Sequence, residues 1–262
     1  MSDEVKRSGK AIAGGVAGYV GWKASAKFLW PLLKLAKLAK IAGSVGSTVL
    51  SIFTYSLIYG WRYATGFVLL LLTHELGHYV VARRAGLKVG LPAFIPFVGA
   101  WIQLKENFPD VETEARVALA GPLLGSTAAL LVFIAWYLTD IEVLLAIAYA
   151  GFFLNLFNLV PLSPLDGGRI TAVISPWLWL LGIPVLIGVF FYHPSGLLIG
   201  IAILAIPQLF HAFKNRNNPE QQAYLAAPLA ARIGYAVLYL GLCGLLAVLS
   251  QRSHDMLTVL RP

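Results

Sequence analysis

Charge is scarce in this chain. Only 12% of its 262 residues are Asp, Glu, Lys or Arg, where an ordinary soluble domain carries about 25%. Cysteine is nearly absent: Cys243 stands alone in an apolar stretch, which excludes an internal disulfide and leaves the redox compartment open. No internal repeat or low-complexity tract occurs. No basic stretch is interleaved with aromatics in the manner of an RNA-binding surface, so no nucleic-acid partner is expected. The N-terminus does not match a cleavable signal peptide, because its charged region runs too long before an apolar core begins. What fills the chain instead is hydrophobic: 58% of residues, with a mean hydropathy of +0.76. The length suits one helical bundle rather than several domains.

Charge-free runs of about 20 residues are needed to cross the hydrocarbon of a bilayer. Ile41 to Trp61 is one, and Tyr63 to Arg84 and Val117 to Thr139 follow. Val143 to Leu165 is a fourth, ending in a proline-broken sequence. Ile170 to Phe213 is long enough for two, divided at Tyr192–Gly196, and Ile233 to Ser250 is the last. The expectation is an all-α polytopic bundle of about six to seven spans. Residues 1–40 read as a basic segment, 41–250 as the transmembrane domain and 251–262 as a tail. Within the basic segment Lys34, Lys37 and Lys40 recur every third residue among leucines, the pattern of an amphipathic helix lying on the membrane surface.

Lys and Arg set the orientation. Eight of the 20 precede residue 41, beside only Asp3 and Glu4. With the N-terminus in the cytoplasm, the inner side also collects Arg83, Arg84, Lys88, Lys105, Arg116, Arg169, Lys214, Arg216 and Arg232. Only Arg62, Arg252 and Arg261 fall outside. This is the distribution of a multi-pass protein of the cell membrane with a cytoplasmic N-terminus.

Against this apolar background stands His74-Glu75-Leu76-Gly77-His78, inside the second span. Residues i and i+4 share a helix face, so both imidazoles can grip one metal ion, with Glu75 beside it as a general base. Ionisable groups at membrane depth are costly and mark function. A catalytic zinc takes three protein ligands, and a third histidine six residues on is absent because position 84 is Arg. Asp166 is the strongest remaining candidate. It is the only acid between Glu142 and Glu220, and it follows Pro161 and Pro164, which must interrupt a helix. Gly167-Gly168 behind it would allow a tight turn. Two histidines and a carboxylate suit Zn²⁺, and Fe²⁺ accepts the same set.

His74-Glu75-Leu76-Gly77-His78, Ala120-Gly121-Pro122-Leu123 and Asn158-x-x-Pro161-x-x-Pro164-Leu165-Asp166-Gly167-Gly168 together resemble the site-2 protease family of intramembrane zinc metalloproteases, over about Tyr63 to Arg169. The resemblance implies Zn²⁺ on His74, His78 and Asp166, with Glu75 activating water. Asn158, and less directly Asn155, would hold the scissile peptide or its oxyanion. It further implies a transmembrane protein substrate cut within the lipid bilayer. Gly125 departs from the pattern, since many relatives carry Asn there. No stretch is long or polar enough for the PDZ or CBS modules that some members carry. Leu87 to Leu104, rich in β-branched and aromatic residues with two prolines and Gly99 at a turn, reads as a membrane-dipping loop. Under the resemblance it becomes an edge hairpin that takes substrate as an added strand.

Other readings are weaker on these residues. A catalytically silent scaffold or transporter would have lost Glu75 or a ligand, and all are present. A membrane di-iron oxidase needs about eight histidines, and five occur. His193, His211 and His254 fall at turns or span ends, where interfacial or structural roles are expected. Trp30, Trp61, Trp101, Trp136, Trp177 and Trp179 mostly fit an interfacial aromatic belt.

Overall fold

The structure, a computed structural model, describes residues 38–97, 99–192 and 194–260. Most of the expected basic segment, including Lys34, Lys37 and Trp30, lies outside the described residues, as does His193. The chain divides into two units, Met1–Gly46 and Ser47–Pro262. Of the first, only the opening of helix α1 lies among the described residues.

Helices dominate because a bilayer offers backbone groups no water, so each span must bond its own N–H and C=O groups. Helix α1 covers Leu38–Tyr59 and α2 covers Trp61–Arg84. Gly60, at φ 80°, separates them. Helix α3 runs Val111–Thr139, starting well before the expected Val117. Asp110 explains the early start: its carboxylate accepts Thr113 N–H at 2.7 Å and the Thr113 hydroxyl at 3.0 Å. Glu112 and Glu114 in the first turn also favour the positive helix end.

Helix α4 spans Glu142–Asn158 and stops short of the expected Leu165. Pro161 and Pro164 cannot donate to a continuing helix, and the chain turns instead. Helix α5 is Asp166–Ile174, followed by a 3₁₀ turn at Pro176–Leu178, α6 at Trp179–Tyr192 and α7 at Gly196–Lys214. Helix α8 is Pro219–Tyr224, and α9 is Leu229–Leu260. The last helix outruns the expected span Ile233 to Ser250. Its polar end is still helix-forming, with the Gln251 amide donating to Asp255 four residues on at 2.8 Å. Among the described residues, five helices (α1, α2, α3, α7 and α9) are long and apolar enough to cross a membrane, and α4 and α6 are shorter apolar helices. The molecule is thus an all-α integral membrane protein with one small hairpin.

Helix α3 is the axis of the bundle, packed between α2, α4 and α5, with α9 closing over α4 and α5. Ala118, Leu119 and Ala129 of α3 meet Leu70 of α2, Ile147, Ala148 and Phe152 of α4, and Leu242 and Leu246 of α9 in one buried cluster. The outward faces keep large apolar side chains exposed, among them Leu57, Leu131, Ile203 and Leu240, as lipid contact requires.

Gly167 and Gly168 do not make the expected turn. They lie inside α5, where a Cβ at Gly167 would strike the Leu159 and Val160 carbonyls and one at Gly168 the Leu162–Ser163 backbone. Their bareness lets α5 press against the turn that precedes it.

The Leu87–Leu104 segment is a hairpin. Strand β1 (Ala93–Ile95) pairs antiparallel with β2 (Gly99–Trp101), Phe94 opposite Ala100. Further out, Val89 bridges Leu104. Three residues on one strand face two on the other between these pairs, a bulge that covers Gly90 to Pro92. Phe94 is buried against Val68 and Leu71 of α2, which ties the hairpin to the helix that carries the histidines.

Candidate metal centre

His74 and His78 stand one turn apart on α2, and the short helix α5 brings Asp166 to them with its first residue. His74 Nε2 lies 3.1 Å from Asp166 Oδ2, His78 Nε2 lies 3.3 Å from the same oxygen, and the two Nε2 atoms are 3.1 Å apart. His74 is buried, and His78 and Asp166 are nearly so. Among the described residues this is the one group of three or more such side chains close enough to share an ion.

The far side of each imidazole decides what the near side can do. His78 Nδ1 is 2.8 Å from the Val117 carbonyl of α3, which can only accept, so Nδ1 carries the proton. His74 Nδ1 is 2.8 Å from Asn155 Oδ1 of α4, and Asn155 Nδ2 donates to the Gly151 carbonyl at 2.7 Å. That fixes the amide with its oxygen towards His74, so this Nδ1 is protonated as well. As neutral imidazoles both then present Nε2 lone pairs, and these meet a carboxylate oxygen. Three acceptors facing one another repel unless a cation sits among them. Tetrahedral ligands about 2.0–2.1 Å from an ion stand about 3.3 Å apart, close to the spacings found here. The donor set and its spacing fit a small divalent metal.

Close backbone approach makes this possible. A Cβ on Gly77 would strike the Ala120 carbonyl, and one on Gly121 would strike the His78 imidazole. Pro122 one residue on denies Ala118 C=O its helical donor, beside the Val117 carbonyl that His78 uses. On the other side, α5 is held by the Trp179 indole donating to Gly168 C=O at 2.7 Å, and the turn that precedes it by Tyr239 OH donating to Leu159 C=O at 2.6 Å. Beyond the site, Arg169 Nε lies 3.8 Å from Glu114, whose carboxylate accepts Tyr224 OH at 2.5 Å. Burial, then the charge of Glu114, raises the Tyr224 phenol above its ordinary range. This network borders a cavity of about 350 Å³ against α5, with Ser163, Arg169 and Gln208 in its wall.

Glu75 is buried beside the histidines at 8% exposure, and among the described residues its carboxylate has no hydrogen-bond partner. Asn158 ends α4 half-buried with its carboxamide likewise unbonded among the described residues. Asn155 sits elsewhere than a substrate-binding role requires. It is 1% exposed, with both ends of its amide taken by His74 and Gly151, so it lies behind the histidine and not in front of it. That contact crosses 81 residues of sequence, and no local pattern announces it. His211 is away from the centre, exposed and bonded to Asn215, and His254 lies beside Asp255 in the last helix.

Comparison with known proteins agrees with the motifs. The family model described as Peptidase family M50 matches residues 62–141, from α2 through the hairpin to α3. Zinc metalloprotease MJ0392 of Methanocaldococcus jannaschii is 32% identical over 130 residues, which is 48% of this chain and 37% of that protein. Stage IV sporulation protein FB of Bacillus subtilis is 34% identical over 110 residues, 39% of this chain and 36% of its own length. A second Methanocaldococcus jannaschii protein, MJ0611, is 31% identical over 142 residues, covering 45% of this chain and 73% of that protein. The chain thus spans little more than a third of the first two.

Proposed function

Because this chain belongs to peptidase family M50, we propose that it is a zinc-dependent endopeptidase that hydrolyses peptide bonds within or near the transmembrane helices of other membrane proteins. The observation that carries the reading is the convergence of two imidazole lone pairs and the Asp166 carboxylate next to an unbonded Glu75. His74, His78 and Asp166 would hold the zinc ion, which supplies a Lewis acid for the scissile carbonyl and makes water more acidic. Glu75 takes a proton from the attacking water as its oxygen bonds to the carbonyl carbon. The same carboxyl returns that proton to the amide nitrogen as the C–N bond breaks, leaving a carboxylic acid and an amine, between which the second water proton then passes to give carboxylate and ammonium. Asn158, with a free carboxamide, donates N–H to the carbonyl oxygen as negative charge gathers there.

A substrate helix must unwind first, because its carbonyls are already hydrogen-bonded. The hairpin supplies the alternative partner. The outer edge of β1 is turned to α1: Phe94 N–H bonds Ser47 Oγ at 3.3 Å and Phe97 N–H bonds Tyr55 OH at 3.1 Å. Phe94 and Ala100 therefore form a non-hydrogen-bonded pair. Alternation then points the backbone of Ala100 and Ile102 away from β1, free for an added strand. The Lys and Arg distribution supports a cytoplasmic N-terminus. Arg83 and Arg84 at the end of α2 then put the metal group in the cytoplasmic half, near the polar cavity beside α5.

The test is Glu75→Gln. An amide cannot take the water's proton, so cleavage of a transmembrane substrate falls by roughly 10²–10⁴-fold or more, while bound zinc stays at the wild-type level. Undiminished turnover in that variant would remove the protease assignment.

A further inference from the structure

We infer that Asn155 is the positioning residue that fixes the tautomer and aim of His74, and that Gly125 is the space that admits it. The inference rests on the reading of His74, His78 and Asp166 as metal ligands, and it assigns Asn155 to the metal group and not to substrate.

The carboxamide has one orientation open to it. Turned over, it would set Oδ1 against the Gly151 carbonyl, two acceptors in contact at a side chain only 1% exposed. With Oδ1 facing His74, the imidazole can bond only as the Nδ1–H tautomer, which leaves Nε2 unprotonated and turned towards His78 and Asp166. His78 obtains the same constraint from a backbone carbonyl, so a side-chain substitution cannot remove it. Of the two imidazoles, only His74 depends on a side chain for its aim.

Gly125 of α3 faces this amide directly. A Cβ there would lie 2.5 Å from Asn155 Oδ1 and 2.9 Å from Nδ2. Any side chain at 125 must displace the carboxamide, and a carboxamide rooted at 125 would occupy the same volume. The two positions form one unit, with the amide on α4 and the vacancy on α3.

The experiment measures zinc affinity by chelator competition on the purified full chain, with cleavage as a second readout. Asn155→Ala and Gly125→Ala are each expected to weaken zinc by roughly 10–100-fold, the usual cost of losing a partner behind a metal-bound histidine. Asn155→Asp keeps an oxygen that accepts from His74 Nδ1–H and should stay within a few-fold of wild type. The reciprocal pair Gly125→Asn with Asn155→Gly should recover most of the affinity that Asn155→Gly alone loses. A merely structural asparagine would predict neither recovery. If Asn155→Ala binds zinc as wild type does, or if neither Asn155→Asp nor the reciprocal pair recovers affinity, the inference is overturned. His74→Ala and Asp166→Ala separate the two levels. If these also bind zinc like wild type, the metal assignment itself fails. If they lose zinc and Asn155→Ala does not, only the positioning role fails.

Discussion

Glycine means one thing around the metal group and another on the outer helices. Gly77 and Gly121 touch backbone or imidazole so closely that a methyl group would collide, whereas Gly200 on α7 and Gly241 on α9 have nothing among the described residues within 4 Å of an added Cβ. The burial of the helices divides the same way. Within the most apolar stretch of each, 44% of α3 and 39% of α2 is inside the molecule, against 17% of α7 and 22% of α9. In a bilayer, lipid tails are as apolar as leucine, so hydrophobic burial does not drive helices together, and close approach through small residues must do that work. The inner helices use it to bring His74 Nε2, His78 Nε2 and Asp166 Oδ2 to 3.1–3.3 Å from one another. The outer ones present apolar surface to lipid and need no such fit.

The largest effect that would break this comparison comes from one methyl group. Gly121→Ala drives Cβ into the His78 ring and should lower zinc occupancy and cut cleavage at least ten-fold, on the scale of a displaced ligand partner. Gly200→Ala and Gly241→Ala, made in parallel, should leave both within about two-fold, since Ala is also the better helix former. Zinc content and initial cleavage rate measured on the three variants decide it. Equal losses in all three would mean that the glycines serve general helix packing rather than the site.

A smaller effect is expected at the hairpin, which packs on α2 and supplies no ligand. Ile102→Pro removes an outward-facing N–H and should slow cleavage several-fold to ten-fold with zinc unchanged, while Ile102→Val should behave as wild type. Normal cleavage by the proline variant, or loss of zinc along with activity, would leave the hairpin as a seal on the membrane face.

How much of this was legible in the sequence depends on how far apart the cooperating residues lie. The bundle was readable because charge-free runs of membrane length announce themselves; the hairpin was not, since its residues alone read as a membrane-dipping loop and only the family resemblance suggested paired strands. His74 and His78 could be paired from their i, i+4 spacing, and Asp166 was singled out by the lack of any other acid at that depth; the structure brings the three together. Helix ends were read less well. The cap at Asp110 and the early stop of α4 at Asn158 depend on local hydrogen bonds and proline geometry that hydropathy does not see. Contacts between distant segments were not legible at all. Nothing near Asn155 in sequence says that it backs His74, and nothing near Gly168 says that it meets the Ser163 backbone. A carboxamide beside Asn158 invited a substrate role, and only the packing of α4 on α2 and α3 shows which way it faces.

The central claim is that His74, His78 and Asp166 hold one zinc ion, and X-ray absorption at the zinc edge tests it most directly. For the wild-type protein the account predicts one zinc per chain, with two imidazole signatures and the remaining near neighbours oxygen at about 2.0–2.2 Å. The same measurement on Asp166→Ala should show zinc largely lost. A wild-type spectrum without two imidazoles, or full zinc occupancy in Asp166→Ala, would contradict it.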